Sequence, residues 1–354
     1  MQDHPAISHG LSLLSHLTKR KFFFLQEKND NLQAILYRVT LINKLSQTKA
    51  QRLRSIVLFS HHYIQKGNIK LMLENVFYKQ RQAFEQEIQK QNEGLKCPSS
   101  IQMVLREHLD IFSPSFDKPL PVIINIHGGG LIMGTKEFNH KLCIRMTEQG
   151  YLVFAITYPL VPDANAFQQF QAIQDALFMV KKELLYWNGD QSHIYITADS
   201  AGAYLAVYSI AMQHLPELAK AAGVTPMDLP IRAMALFSGM FFTNRFDKIG
   251  LTMPKYLYGK HYKKHPFAPY INPTHPDILR SLPPCFFTTS TEDFLESYTI
   301  DFYNEFIKYH KSQDCDCIRI FDKTLPHAFP AFLPEHPETT KCLTEMNYFF
   351  RMHE

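Results

Sequence analysis

The chain has 354 residues, 45% of them hydrophobic and 20% charged, with a formal net charge of +4. This is the composition of a globular protein able to bury a large core. Its small positive charge is not gathered into a domain-scale basic stripe, which argues against a nucleic-acid partner, and no stretch approaches the roughly eighteen apolar residues of a membrane span.

In chain order, the N-terminal MQDHPAISHGLSLLSHL has no basic region ahead of its short apolar run. The expectation is therefore no secretory leader and a cytoplasmic protein, although non-classical secretion would leave no readable trace. Lys19, Arg20 and Lys21 beside Phe22, Phe23 and Phe24 read as a solvated face. Contact with a membrane surface is the alternative, but no long amphipathic basic face accompanies them. Residues 31–65 carry Leu32, Ile35, Leu36, Val39, Leu41, Ile42 and Leu45 at helical spacing. Residues 69–91 repeat the pattern with Ile69, Leu71, Leu73, Val76, Phe77 and Phe84, and Gly94 and Pro98 follow as stop signals. Residues 1–100 are thus expected to form a helical N-terminal cap or extension, and residues 101–354 the main domain. The cap's helices are too few and too polar to bury a core alone, so they must pack on something larger.

From residue 101 onward, strands and helices alternate. Ile101 to Phe112 reads as an edge strand. Pro121 to Ile126 is a continuous apolar run, as in a strand buried on both faces. Tyr151 to Thr157, His193 to Thr197, Ile231 to Phe237, Pro284 to Thr289 and Cys317 to Phe321 are further strands. Phe167 to Leu185, Ala201 to Met212, Ser297 to Tyr309 and Pro337 to Met352 are helices. Such alternation predicts an α/β fold with a mostly parallel sheet and helices on both faces. The six cysteines, Cys97, Cys143, Cys285, Cys315, Cys317 and Cys342, lack both a disulfide framework and zinc-finger spacing. They read as reduced structural thiols, with no metal and no cofactor implied. No feature fixes an oligomeric state.

Two motifs carry chemistry. Ala198-Asp199-Ser200-Ala201-Gly202 lies between a strand and an apolar helix, the setting of a nucleophile elbow. Alone it is equally a small-residue helix start capped by Asp199 or Ser200. His127-Gly128-Gly129-Gly130 follows the buried strand, where Gly128, Gly129 and Gly130 permit close backbone approach. Their amides can form an oxyanion hole with the amide of Ala201, and neither phosphate-loop pattern is present. Asp293 and His327 lie in loops after the last two strands, in the Ser…Asp…His order that this chain path requires. Glu292 and Glu296 are rival acids. His336 and His310 are rival bases in a chain with 17 histidines.

With these residues, the stretch from about 101 to the end resembles the hormone-sensitive-lipase-like esterases, the bacterial family IV carboxylesterases. HGGG at 127–130 matches the family's oxyanion motif, and YPLVPD at 158–163 is similar to its Y-R-L-A-P-E. DQSHIYITADSAGAYLA at 190–206, LPPCFFTTSTEDFLESY at 282–298 and PHAF at 326–329 resemble its nucleophile, acid and base segments. The resemblance implies an α/β-hydrolase fold, Ser200 as nucleophile, Asp293 as orienting acid, His327 as base, and Gly129, Gly130 and Ala201 as oxyanion donors. It departs at Ala198 and Ala203, which replace glycines, at Pro159, which replaces Arg, at Leu131, where an aromatic is common, and at Ala328, which replaces the Gly of H-G-F. None removes a catalytic group.

The activity implied is cofactor-free hydrolysis of small short- to medium-chain acyl esters through an acyl-enzyme. Two other classes compete: a non-catalytic binding protein on a hydrolase fold, and a host- or partner-interaction protein acting through residues 1–100. A fluorophosphonate probe separates the first class from both.

Overall fold

The computed structural model describes residues 69–115, 118–322 and 325–354, and contacts divide the chain into two units, Met1–Met72 and Leu73–Glu354. The helical run expected at 31–65 and the Lys19–Phe24 cluster lie outside the described residues. Among the described residues, no helix is long and apolar enough to cross a membrane.

The first described element is the helix Ile69–Asn92 (α1). Eight strands follow and form one sheet: Ile101–Val104 (β1), Leu109–Pro114 (β2), Leu120–Ile126 (β3), Leu152–Ile156 (β4), Gly189–Asp199 (β5), Ile231–Phe237 (β6), Cys285–Ser290 (β7) and Cys315–Ile320 (β8). Their spatial order is β1-β2-β4-β3-β5-β6-β7-β8. β1 and β2 pair antiparallel to each other, β2 pairs antiparallel to β4, and every later pairing is parallel.

The parallel strands read as apolar runs because both of their faces are covered. In β3, Val122, Ile124 and Ile126 enter one core and Ile123 the other; in β4, Leu152, Phe154 and Ile156 oppose Val153 and Ala155. The helices covering these faces include His140–Glu148 (α2), Ala166–Glu183 (α3), Ala201–His214 (α4), Glu296–Phe306 (α5) and Pro337–Arg351 (α6). Every residue of α4 from Ala201 to Met212 is buried, as expected of a helix that is apolar on all sides. α3 opens on a complete capping box, in which Asn165 accepts from the Gln168 amide and Gln168 accepts from the Asn165 amide.

Three parts of the architecture differ from the pattern reading. Ile101 to Phe112 is two antiparallel strands, not one, because Leu105 to His108 form an exposed turn in which the Arg106 amide donates to buried Asp110. β5 begins at Gly189 and is longer than expected. The sequence pattern passes over α2 and the short helices Lys248–Thr252, Pro254–Tyr258 and Pro276–Ser281. All six cysteines are unpaired.

Candidate active site

Four loops converge at the carboxyl ends of the parallel strands, where sites on such sheets form. Ser200 follows β5 directly and adopts φ 49° and ψ −114°, a conformation that costs a non-glycine residue energy. It is held there from both sides. Its amide donates to the Phe237 carbonyl at 2.9 Å, and its carbonyl accepts from Met240 at 2.9 Å and Ala203 at 3.2 Å. Gly202 is where α4 meets the end of β3: a Cβ there would lie 2.1 Å from the Ile126 carbonyl oxygen. Ala198 is a buried strand residue outside the positive-φ group, so alanine is accommodated at that position.

His327, in the loop after β8, joins the two other groups. Its Nε2 lies 2.8 Å from Ser200 Oγ, and its Nδ1 lies 2.7 Å from Asp293 Oδ1. Asp293 also accepts from the Leu295 amide at 2.7 Å. Burial alone would raise the Asp293 carboxyl, but the hydrogen bond and charge of His327 outweigh it and hold the carboxyl below its usual range. The exposed Phe294 ring rests 4.4 Å from the His327 ring.

The rival residues are engaged elsewhere. His336 caps α6 by accepting from the Glu338 amide at 3.2 Å. The His310 ring stacks on Phe306 at 3.8 Å and its Nε2 meets the Leu279 carbonyl oxygen at 2.8 Å. Glu296 accepts from Arg319 at 2.6 Å, and Glu292 is exposed.

Loop 127–134 folds back on itself, with the Ile132 and Met133 amides donating to the Gly129 carbonyl at 3.2 and 3.1 Å. Gly129 at φ 111° is required, because a Cβ would meet the Met133 carbonyl oxygen at 2.0 Å. The Tyr158 hydroxyl donates to the His127 carbonyl at 2.9 Å, and its ring stacks on the His127 ring at 4.3 Å. Full burial lowers His127 to about 4, so its imidazole is neutral at physiological pH. Among the described residues, no backbone–backbone hydrogen bond outside the helices and strands is donated by the amides of Gly129, Gly130 or Ala201. Gly128 instead packs against Asp199, whose Oδ2 would lie 2.2 Å from a Cβ there.

A buried polar chain runs beneath the loop, and pattern reading had no means of assembling it. Asn139 donates to Asp199 at 2.7 Å and to Asn125 at 2.9 Å, and Asn125 donates to Thr197 at 3.0 Å. Burial raises the Asp199 carboxyl to about 6, although the Asn139 hydrogen bond opposes the shift. Among the described residues, no group of three or more His, Cys, Asp or Glu side chains is arranged to hold a metal ion.

A family model described as the alpha/beta hydrolase fold matches residues 123–331. The chain belongs to this family. The match bears out the resemblance drawn from the motifs. Solved structures agree on the fold: the chain superposes on esterase B of Lactobacillus rhamnosis, crystallised with a tributyrin phosphonate, with a TM-score of 0.69 at 20% identity, covering 78% of this chain and 95% of that one. A bacterial heroin esterase gives a TM-score of 0.62 at 20% identity, covering 77% and 91%. In sequence, the chain is 29% identical over 136 residues to esterase LipQ of Mycobacterium tuberculosis, covering 38% of this chain and 32% of that one. It is 27% identical over 114 residues to the isoprenylcysteine alpha-carbonyl methylesterase ICME of Arabidopsis thaliana, covering 32% and 27%. The chain spans less than half the length of the curated relatives it matches.

Proposed function

We propose that this hydrolase is a serine carboxylic ester hydrolase acting on small, short- to medium-chain acyl esters through an acyl-enzyme. One observation carries the reading: Ser200 Oγ, His327 Nε2 and Nδ1, and Asp293 Oδ1 form a continuous relay at 2.8 and 2.7 Å, with the serine on a strained elbow. The esterases and methylesterases among its relatives support the same reaction class. A non-catalytic descendant would be expected to have lost one of the three groups, and all three are in contact.

In the first step His327 takes the Ser200 proton as Oγ attacks the ester carbonyl carbon. The carbonyl π electrons move to oxygen, and the amides of Gly129, Gly130 and Ala201 receive that oxyanion; one such donor is typically worth about 3 kcal/mol. Gly128 serves by letting the loop approach Asp199. As the tetrahedral centre collapses, the C–O bond to the alcohol breaks and His327 returns the proton to the departing oxygen. Water then attacks the acyl-enzyme, with His327 as base again, and releases the carboxylic acid and free Ser200. The negative Asp293 holds the imidazole tautomer and stabilises its transient positive charge.

The site residues give the deciding experiment. Ser200→Ala should abolish p-nitrophenyl ester hydrolysis and fluorophosphonate labelling while leaving the circular-dichroism spectrum intact. Wild-type rates on a short-chain ester in that variant would refute the assignment. We further read residues 1–100 as a cap on the catalytic domain 101–354, supported by α1, whose Phe77, Phe84 and Ile88 are buried with residues of that domain.

A further inference from the structure

Position 159, where the family motif has arginine, is proline in this chain. An arginine from a different element reaches the same loop. From α1, Arg81 Nε donates to the Ile132 carbonyl at 3.1 Å, Nη2 to the Val161 carbonyl at 2.8 Å, and Nη1 to Asp163 Oδ2 at 2.7 Å. Tyr78, one turn earlier, holds the other Asp163 oxygen with a 2.6 Å hydrogen bond. One planar guanidinium therefore ties together loops 127–134 and 158–163, which already meet where the Val161 amide donates to the Leu131 carbonyl at 2.8 Å. Its fork geometry suits that task, because three acceptors at fixed angles are met without deforming the side chain.

The loop needs such restraint. Leu131 sits at φ 68° and is fully buried, a conformation a branched-chain residue keeps only when its surroundings over-determine it. Gly129 and Gly130, the two residues before it, also have positive φ. The bonds from Arg81 fall on Ile132 and Val161, so they bracket Leu131 on the chain and across the loop contact. Without them, Leu131 can relax toward negative φ, and the Gly129 and Gly130 amides swing with it.

We propose that Arg81 is a positioning residue that locks the oxyanion loop from outside the catalytic domain's own motifs. The inference rests on the esterase reading above. It touches no reacting atom; it fixes where the amides point. Those amides act most strongly on charge that develops in the transition state, so the loss should fall on kcat and leave KM largely unchanged.

The test compares full-length wild type with Arg81→Ala, Arg81→Lys and Tyr78→Phe on a p-nitrophenyl ester. Arg81→Ala should lower kcat about 10- to 100-fold, the scale of a small misplacement of catalytic groups. Guanidinium chloride below denaturing concentration should restore part of that kcat in Arg81→Ala and none in wild type, a response that a general loss of packing would not give. Arg81→Lys should recover only partly, since a point charge cannot span three acceptors. Tyr78→Phe, which leaves the guanidinium in place, should lose least, and it carries the test with Arg81→Lys if the alanine variant does not fold. Independently of turnover, amide exchange in a peptide covering residues 127–134 should accelerate in the Arg81 variants while one covering β6 is unchanged. Folded variants with wild-type kcat and wild-type exchange overturn the proposal, as does a raised KM at unchanged kcat. If wild type itself neither hydrolyses esters nor takes the fluorophosphonate, the esterase reading fails, and the exchange measurement alone still decides whether Arg81 holds the loop.

Discussion

His327 and His336 lie nine residues apart, each near proline and phenylalanine, yet their environments separate their roles. His327 bridges Ser200 and Asp293, whereas His336 accepts the Glu338 amide at the start of α6. His327→Ala should therefore remove ester turnover. His336→Ala should keep it and cost about 1 kcal/mol of stability, the usual loss of a helix cap. The pair is checked by steady-state rates beside urea denaturation; an inactive His336→Ala with an active His327→Ala would reverse the assignment. Asp199 permits a prediction against pH. Its folded carboxyl is raised from an ordinary 3.8 to about 6, because burial disfavours the charge. A raised acid contributes stability that is present below the ordinary value and lost as pH climbs through the folded one. Wild type should thus lose stability between about pH 4 and 6 relative to Asp199→Asn, which keeps an acceptor for Asn139. The full difference is about 3 kcal/mol at 1.4 kcal/mol per unit, read as the gap between the two Tm-versus-pH curves, and parallel curves would rule it out. Ser200, Asp293 and His327, which meet at 2.8 and 2.7 Å, could be picked out in the sequence because each follows a strand in a fixed order. The Asp199–Asn139–Asn125–Thr197 chain was not, since its members come from separate elements and meet only through the fold.

The elbow depends on how closely α4 approaches β3, and Gly202 sets that distance. An added Cβ would stand 2.1 Å from the Ile126 carbonyl oxygen and 2.7 Å from that of His127, both backbone atoms that cannot swing aside. Gly202→Ala should push α4 off the sheet, separate Ser200 from the oxyanion loop and destabilise the fold by about 3 kcal/mol, as overpacked sites do. Ala203→Gly, the neighbouring change toward the family residue, makes no such collision. It should cost about 1 kcal/mol in helix propensity and retain turnover. Melting temperature and kcat for the two variants check this together, and an active, fully stable Gly202→Ala would refute the close-approach argument. Legibility differed among elements for related reasons. The buried parallel strands announced themselves as unbroken apolar runs, and α3 through its apolar spacing. By contrast, Arg106, Glu107 and His108 interrupt an apparently single strand with a turn. The helices between 248 and 281 run only five or six residues each, too short to show a 3.6-residue period.

At the scale of the whole molecule, α1 decides where the chain can be cut. The division between the contact units Met1–Met72 and Leu73–Glu354 falls inside this helix. From Leu73 onward, α1 is built into the two cores of the α/β domain. Phe77 packs edge-on to Tyr256 at 5.2 Å in one core, while Phe84 packs on Phe138 at 5.0 Å in the other, with Ile88 buried beside it. Burying each of these three side chains is worth about 2 kcal/mol, so together they rival the roughly 5–15 kcal/mol by which a domain is stable at all. Removal of residues 1–96 should therefore expose both cores and yield an aggregation-prone product. Removal of residues 1–68 leaves α1 and Arg81 in place and should give a folded, ester-hydrolysing remnant. If the removed residues cap the catalytic domain, this shorter product should show an altered preference across a chain-length series of p-nitrophenyl esters. An unchanged series would make them a separate appendage and strengthen the partner-interaction reading. A soluble 97–354 fragment with the original kinetics would show that α1 is dispensable to the α/β domain.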